Sequence, residues 1–225
     1  MRKAIVILSG GMDSTTLLYK VNADTDFDIV SVLSMDYGQR HKKELDVASA
    51  TCTALNQPHK IIDISGIAAV MKNSALTDDI EVPEGHYEEP TMKVTVVPNR
   101  NAILLSLAGA EAVSHDAGYV FYGAHSGDHA IYPDCRREFV EAFNDMAAIA
   151  NYLPVEILTP FIDFDKGDIL TVGYYYGVDY SKTWTCYAGR EKSCGKCGAC
   201  DERLEAFEMI GRQDPLEYED ILCRS

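Results

Sequence analysis

Five apolar residues, Ala4-Ile5-Val6-Ile7-Leu8, run directly into Ser9-Gly10-Gly11-Met12-Asp13-Ser14, and Thr15-Thr16-Leu17-Leu18-Tyr19 then reads as the opening of a helix. An apolar run that short suits a buried strand. Strand, glycine turn and helix start, in that order, make a phosphate cradle. Glycine carries no Cβ, so Gly10 and Gly11 are expected to take positive φ and let the backbone approach a ligand closely. The free amides at the helix start point outward at the positive end of its dipole. Ser9 and Ser14 add hydroxyl donors, and Asp13 is placed to hold Mg²⁺ on the phosphates. An ordinary Gly-Gly turn before a helix is the alternative.

The spacing is neither G-x-x-x-x-G-K-[ST] nor G-x-G-x-x-G. Ser-Gly-Gly-x-Asp-Ser resembles instead the pyrophosphate loop (PP-loop) of ATP pyrophosphatases, which cut ATP between its α and β phosphates and place AMP on a substrate oxygen. That resemblance assigns ATP binding to Leu8, Ser9, Gly10, Gly11, Met12, Asp13, Ser14, Thr15, Thr16, Leu17 and Leu18.

The rest of the chain supplies a sheet for such a loop. Residues 28–35, 60–64, 119–122 and 155–158 read as further strands, and 42–55, 101–113, 137–150 and 165–176 as helices. Phe139, Val140, Phe143, Met146 and Ala147 fall on one face of the 137–150 helix. Strict alternation predicts an α/β fold, a doubly wound, mainly parallel five-stranded sheet with ligands at the carboxyl ends of its strands. Residues 74–97 break the pattern with Pro83, Gly85, Pro90 and many acids, as a lid or a solvated loop would.

Near the other end, Cys186, Cys194, Cys197 and Cys200 fall as C-x7-C-x2-C-x2-C. Four thiolates so close suit a tetrahedral Zn²⁺, with free thiols or an Fe–S cluster as alternatives. Four cysteine ligands leave no open position, so a zinc there is structural. Arg190, Lys192 and Lys196 are expected to offset its negative charge. Helix 201–210 closes the knuckle, giving a domain at 1–180 and a C-terminal zinc-binding segment at 181–225. Cys52, Cys135 and Cys223 are isolated thiols.

The net charge is −15 over 225 residues. That disfavours a broad phosphate-contacting surface, so no direct nucleic-acid partner is expected. Too few apolar residues precede Ser9 for a signal peptide, and no run reaches membrane-spanning length, so the expectation is a cytoplasmic protein. Reduced cysteines there favour a metal over disulfides.

Several segments carry a closer resemblance. Val97-Pro98-Asn99-Arg100-Asn101, Gly127-Asp128-His129-Ala130-Ile131-Tyr132-Pro133-Asp134-Cys135-Arg136, Thr159-Pro160 with Asp165-Lys166, and Thr185-Cys186-Tyr187 resemble, in order, the motifs of the 7-cyano-7-deazaguanine synthase (QueC) family. The likeness runs from about residue 4 to residue 207. Ile131 and Gly167-Asp168 depart from what many members carry there. The resemblance implies an ATP-dependent ligase that joins 7-carboxy-7-deazaguanine and ammonia into the nitrile preQ0, through adenylated acid and amide, for queuosine or other deazapurines. It also implies a homodimer.

Under that resemblance Asp13, Lys166 and Arg100 are the catalytic candidates. Lys166 would neutralise the α-phosphate, and Arg100 would clamp the substrate carboxylate or a phosphate. Arg100, Asp128, Tyr132, Asp134 and Arg136 are the substrate candidates. Asp128 or Asp134 would accept from the guanine-like N–H groups, and Tyr132 would stack. Each has a structural alternative; Asp134 would cap the helix that follows it. The rival readings are a tRNA-modifying PP-loop enzyme such as a thiolase, and a zinc-ribbon binding protein without catalysis.

Overall fold

The computed structural model describes residues 1–40 and 42–220, so Cys223 lies outside the described residues. Strand β1 (Arg2–Ile7) explains the opening apolar run. Ile5 and Ile7 enter one core cluster, while Ala4, Val6 and the following Leu8 enter another on the opposite face. A strand buried on both faces has no polar side to alternate with.

The chain continues through α1 (Met12–Ala23), β2 (Phe27–Asp36), α2 (Lys43–Ala54), β3 (His59–Asp63), α3 (Arg100–Ser114), β4 (Tyr119–Phe121), α4 (Arg137–Ala150), β5 (Glu156–Leu158), α5 (Lys166–Tyr176) and α6 (Gly198–Met209). The five strands form one sheet in the order β3-β2-β1-β4-β5, and every pair is parallel. Helices α3 and α4 cover one face, and α1, α2 and α5 the other. This is the expected doubly wound architecture. The winding reverses between β1 and β4, where ligands enter such sheets.

Local chemistry sets the helix ends. The Asp165 side chain accepts from the Asp168 N–H at 2.8 Å, and the Asp168 carboxylate accepts from the Asp165 N–H at 3.2 Å. This reciprocal capping box starts α5 at Lys166, and it gives the unusual Asp168 a role. Helix α6 begins at Gly198, three residues before the sequence suggests, because Cys197 already sits at its N-cap. On α4, Val140, Phe143 and Ala147 face the core, but Met146 is 42% exposed. It lies past the edge of the stripe set by those three.

Residues 74–97 are not a solvated loop throughout. Ser74, Ala75, Leu76, Met92, Thr95 and Val97 are buried. Glu84 pairs with Cys197 as an isolated antiparallel bridge, and the Gly85 N–H donates to the Lys196 carbonyl at 3.1 Å. The segment is docked on the cysteine knuckle. Among the described residues no helix is long and apolar enough to cross a membrane.

Candidate active site

The Ser-Gly-Gly loop closes on itself through its serines. The Ser9 N–H donates to Ser14 Oγ at 3.1 Å, the two hydroxyls lie 2.9 Å apart, and the Gly11 N–H donates to Ser9 Oγ at 3.3 Å. Gly10 has φ +84°, and a Cβ there would lie 2.2 Å from the Glu44 carbonyl oxygen. Only glycine meets both conditions. Gly11 differs from expectation: its φ is −71°, which any residue adopts.

A cavity of about 220 Å³ opens beside the loop, at the carboxyl ends of β1, β2 and β4. Leu8, Ser9, Gly11, Asp13 and Ser14 line it. The other ATP candidates do not. Met12, Thr15, Thr16, Leu17 and Leu18 are buried away from it, with Thr16 bonded to the Met12 carbonyl and to Tyr180 Oη at 2.8 Å. Gly10 is covered by Glu44, and its carbonyl accepts from the Trp184 N–H at 3.0 Å. The periodicity of a helix turns every third or fourth side chain toward the core, which a contiguous motif cannot anticipate.

Charge concentrates on one wall. The Lys166 ammonium pairs with Glu202 and lies 3.7 Å from Asp13 Oδ2. Burial opposes its charge, but Asp13, Glu202 and Asp128 more than offset that and hold the ammonium well above its ordinary pKa. Burial likewise raises the Asp128 carboxyl, yet His125, Lys166 and Arg100 bring it below its usual value. His125 Nε2 lies 3.4 Å from Asp128 Oδ2 and 3.7 Å from Asp13 Oδ2. The Gly127 N–H lies 3.2 Å from His125 Nδ1, and Nε2 faces those carboxylates. His125, Asp128 and Glu202 place donor atoms within 4.8 Å of one another. With Lys166 paired to Glu202, they form a charge network in this structure.

Of the substrate candidates, Arg100, Asp128 and Tyr132 line the cavity. Asp134 and Arg136 do not. Asp134 Oδ2 accepts from the Asn101 N–H at 3.2 Å, so it caps α3 rather than the helix after it. Arg136 is exposed and donates to the His129 carbonyl at 2.8 Å. Tyr132 Oη bonds Thr95 Oγ1 at 2.7 Å and Tyr187 Oη at 3.3 Å, which fixes its ring. Cys135 also faces the cavity, but burial pushes its thiol well up, so it is no nucleophile.

Sequence reasoning missed Tyr37, His125, Trp184 and Glu202. Tyr37 lines the cavity just past β2, where strand-end position was the available signal. His125 follows β4 with the same signal. Glu202 gave none, because an acid two residues after a cysteine ligand reads as helix surface.

The four knuckle sulfurs lie within 4.8 Å of one another, and Cys194 Sγ is 3.9 Å from Cys200 Sγ. A tetrahedron with metal–sulfur bonds of about 2.3 Å has edges of about 3.8 Å. The Ala188 and Cys194 N–H groups donate to Cys186 Sγ at 3.4 and 3.3 Å, and the Lys196 and Cys197 N–H groups to Cys194 Sγ at 3.5 and 3.4 Å. These donors meet the thiolates directly. The cations expected to offset the site's charge pair with carboxylates, Arg190 with Glu219, Lys192 with Glu217 and Lys196 with Asp220, while Arg190 and Lys196 also feel the Cys194 sulfur electrostatically.

The model of the family "Queuosine biosynthesis protein QueC" matches residues 3–211. The 7-cyano-7-deazaguanine synthase of Alteromonas mediterranea is 66% identical over 96% of this chain and 98% of its own. That of Pseudoalteromonas translucida is 62% identical over 97% and 99%. The U34-tRNA thiolase NcsA from Methanococcus maripaludis superposes with TM-score 0.51 over 92% of this chain and 64% of its own, at 13% identity, a likeness of fold alone. A sheet wound for a pyrophosphate loop, a charged cavity at its switch point and a family match spanning nearly the whole chain converge: this protein belongs to the QueC family of queuosine biosynthesis proteins.

Proposed function

We propose that the protein converts 7-carboxy-7-deazaguanine and ammonia to 7-cyano-7-deazaguanine at the expense of ATP, through adenylated acid and amide. The observation that carries the reading is one cavity that joins the Ser-Gly-Gly loop, the Lys166 ammonium and Arg100. A carboxylate oxygen attacks the α-phosphorus and diphosphate leaves, so negative charge grows on both phosphate groups. Loop amides with Ser9 and Ser14 receive the diphosphate, and Lys166 faces the α-phosphate. Ammonia then displaces AMP, which takes that oxygen with it, and one proton is lost to leave the amide. A second adenylation activates the amide oxygen. Departure of AMP and of the remaining nitrogen-bound protons gives the nitrile.

Asp13 Oδ1 is buried without a protein partner, which suits a ligand of the Mg²⁺ that accompanies ATP. Asp128 remains ionised to accept from the N–H edge of the deazaguanine, and Tyr132, held by Thr95 and Tyr187, presents its ring. At Cys186, Cys194, Cys197 and Cys200 the close sulfur packing favours a single Zn²⁺ over a cluster, whose width would hold the thiolates further apart. In this reading residues 1–180 bind nucleotide, the segment from 181 carries the metal, and the protein works as a cytoplasmic homodimer. ATP–diphosphate exchange with and without 7-carboxy-7-deazaguanine tests it. Exchange should require the acid; exchange indifferent to it would refute the assignment.

A further inference from the structure

Helix α6 touches two sites at once. Its first turn carries Cys197 at the N-cap and Cys200, both among the clustered sulfurs. Two residues on, about 200° around the axis, Glu202 emerges on the opposite side and reaches the nucleotide cavity. There it meets Lys166, the first residue of α5. Arg203 anchors the helix from a third direction. It is 1% exposed and bonds Asp214 Oδ2 at 2.7 Å, Thr183 Oγ1 at 2.7 Å and the Tyr180 carbonyl at 2.9 Å. Room for the Glu202 carboxylate is built in as well. A Cβ on Gly127 would lie 2.7 Å from Glu202 Oε1.

We propose that Glu202 is a positioning residue for the adenylation chemistry, and that the cysteine knuckle serves that chemistry by delivering it. The inference rests on the adenylation reading above. A lysine has four rotatable side-chain bonds, and its ammonium has no preferred direction of its own. Asp13 alone, 3.7 Å away, sets it loosely. Glu202 approaches from a helix held by the cysteine knuckle and by a buried Arg203–Asp214 pair, so it fixes the ammonium against the cavity wall. Arriving phosphates then meet a lysine already in place. Glu202 touches no reacting atom and acts through Lys166.

A positioning role separates binding from rate. Glu202→Gln removes one negative charge beside an anion site, so ATP should bind as tightly as in the wild type, or more tightly. The rate should fall about 100-fold as Lys166 loses its aim. Trp184, the chain's single tryptophan, lines the cavity, so its fluorescence reports ATP binding directly. The expected result is unchanged or stronger ATP binding, full metal content, and lowered acid-dependent exchange. The double variant with Lys166→Ala should be no slower than Lys166→Ala alone. Gly127→Ala, which displaces the Glu202 carboxylate most, crowds the His125 ring at 3.0 Å and removes no charge, should lower the rate with metal retained. It replaces Glu202→Gln if that variant fails to fold. Wild-type rate in both variants, a multiplicative loss in the double variant, or loss of metal in step with rate would overturn the proposal. Absence of acid-dependent exchange in the wild type would instead refute the adenylation reading itself.

Discussion

At the scale of single residues, the cavity is a balance of buried charges. Lys166 compensates Asp13, Glu202 and Asp128, so Lys166→Ala strips buried Glu202 of its ion pair and leaves Asp13 to His125 and Asp128 to His125 and Arg100. It should lower stability by about 3–5 kcal/mol, read from urea unfolding. The sign of the pH dependence follows from the raised folded pKa of Lys166. Its stabilisation is fully present below the unfolded value of about 10.5 and is lost only as pH rises through the folded value. Lys166 itself therefore adds no pH dependence across about pH 6–9. Burial already raises Glu202, however, and without Lys166 it takes up a proton as pH falls. The gap between wild type and Lys166→Ala should narrow toward acid, and a gap that widens as pH falls would contradict the charge balance. Asp13→Ala differs, because Lys166 keeps Glu202. Its folding loss should be smaller than that of Lys166→Ala, while turnover at saturating ATP falls at least about 100-fold. Normal turnover would remove Asp13 from the mechanism. That Asp13, Arg100 and Lys166 line one cavity was legible from their motifs, and each stands in the first turn of a helix. Glu202 was not legible, since its partner Lys166 is far away in sequence, and His125 offered only its position after β4.

At the scale of elements, the alternation of strands and helices was legible to within a few residues, because strands buried on both faces leave unbroken apolar runs. The packing of α1 on α5 was not. Gly173 lets Tyr180 reach Thr16, and a Cβ at 173 would lie 1.7 Å from Tyr180 Oη. Gly173→Ala should therefore expel the tyrosine, break its 2.8 Å bond to Thr16 and cost about 1–3 kcal/mol, seen as a lower Tm. An unchanged Tm would mean that the ring moves aside freely. Residues 74–97 looked like either lid or loop, since Leu76 and Val97 are buried against Tyr37 and Met71, while Glu84, Gly85 and Met92 meet a knuckle about a hundred residues on. Leu76, Tyr87 and Met92 from this segment line the cavity. If it retains the amide between the two adenylations, shortening it around 83–89 should release amide in place of nitrile while the first adenylation persists. Mass spectrometry of the products separates the two, and a shortened enzyme that still makes only nitrile would leave the segment no gating role.

At the scale of the whole molecule, the cysteine knuckle and the candidate active site share walls. Trp184, Tyr187, Gly198, Ala199 and Glu202 line the same cavity as the PP-loop. Cys197→Ala should thus lose the metal, lower Tm and weaken ATP binding together. A metal-free variant with wild-type ATP affinity would uncouple the two sites. The central claim is that each of the two carboxylate oxygens leaves the substrate on AMP. 7-Carboxy-7-deazaguanine labelled with ¹⁸O at both carboxylate positions tests it in one mass spectrum. The account predicts unlabelled nitrile and one ¹⁸O in each AMP released. Label in water, orthophosphate or diphosphate, or AMP without label, would contradict it.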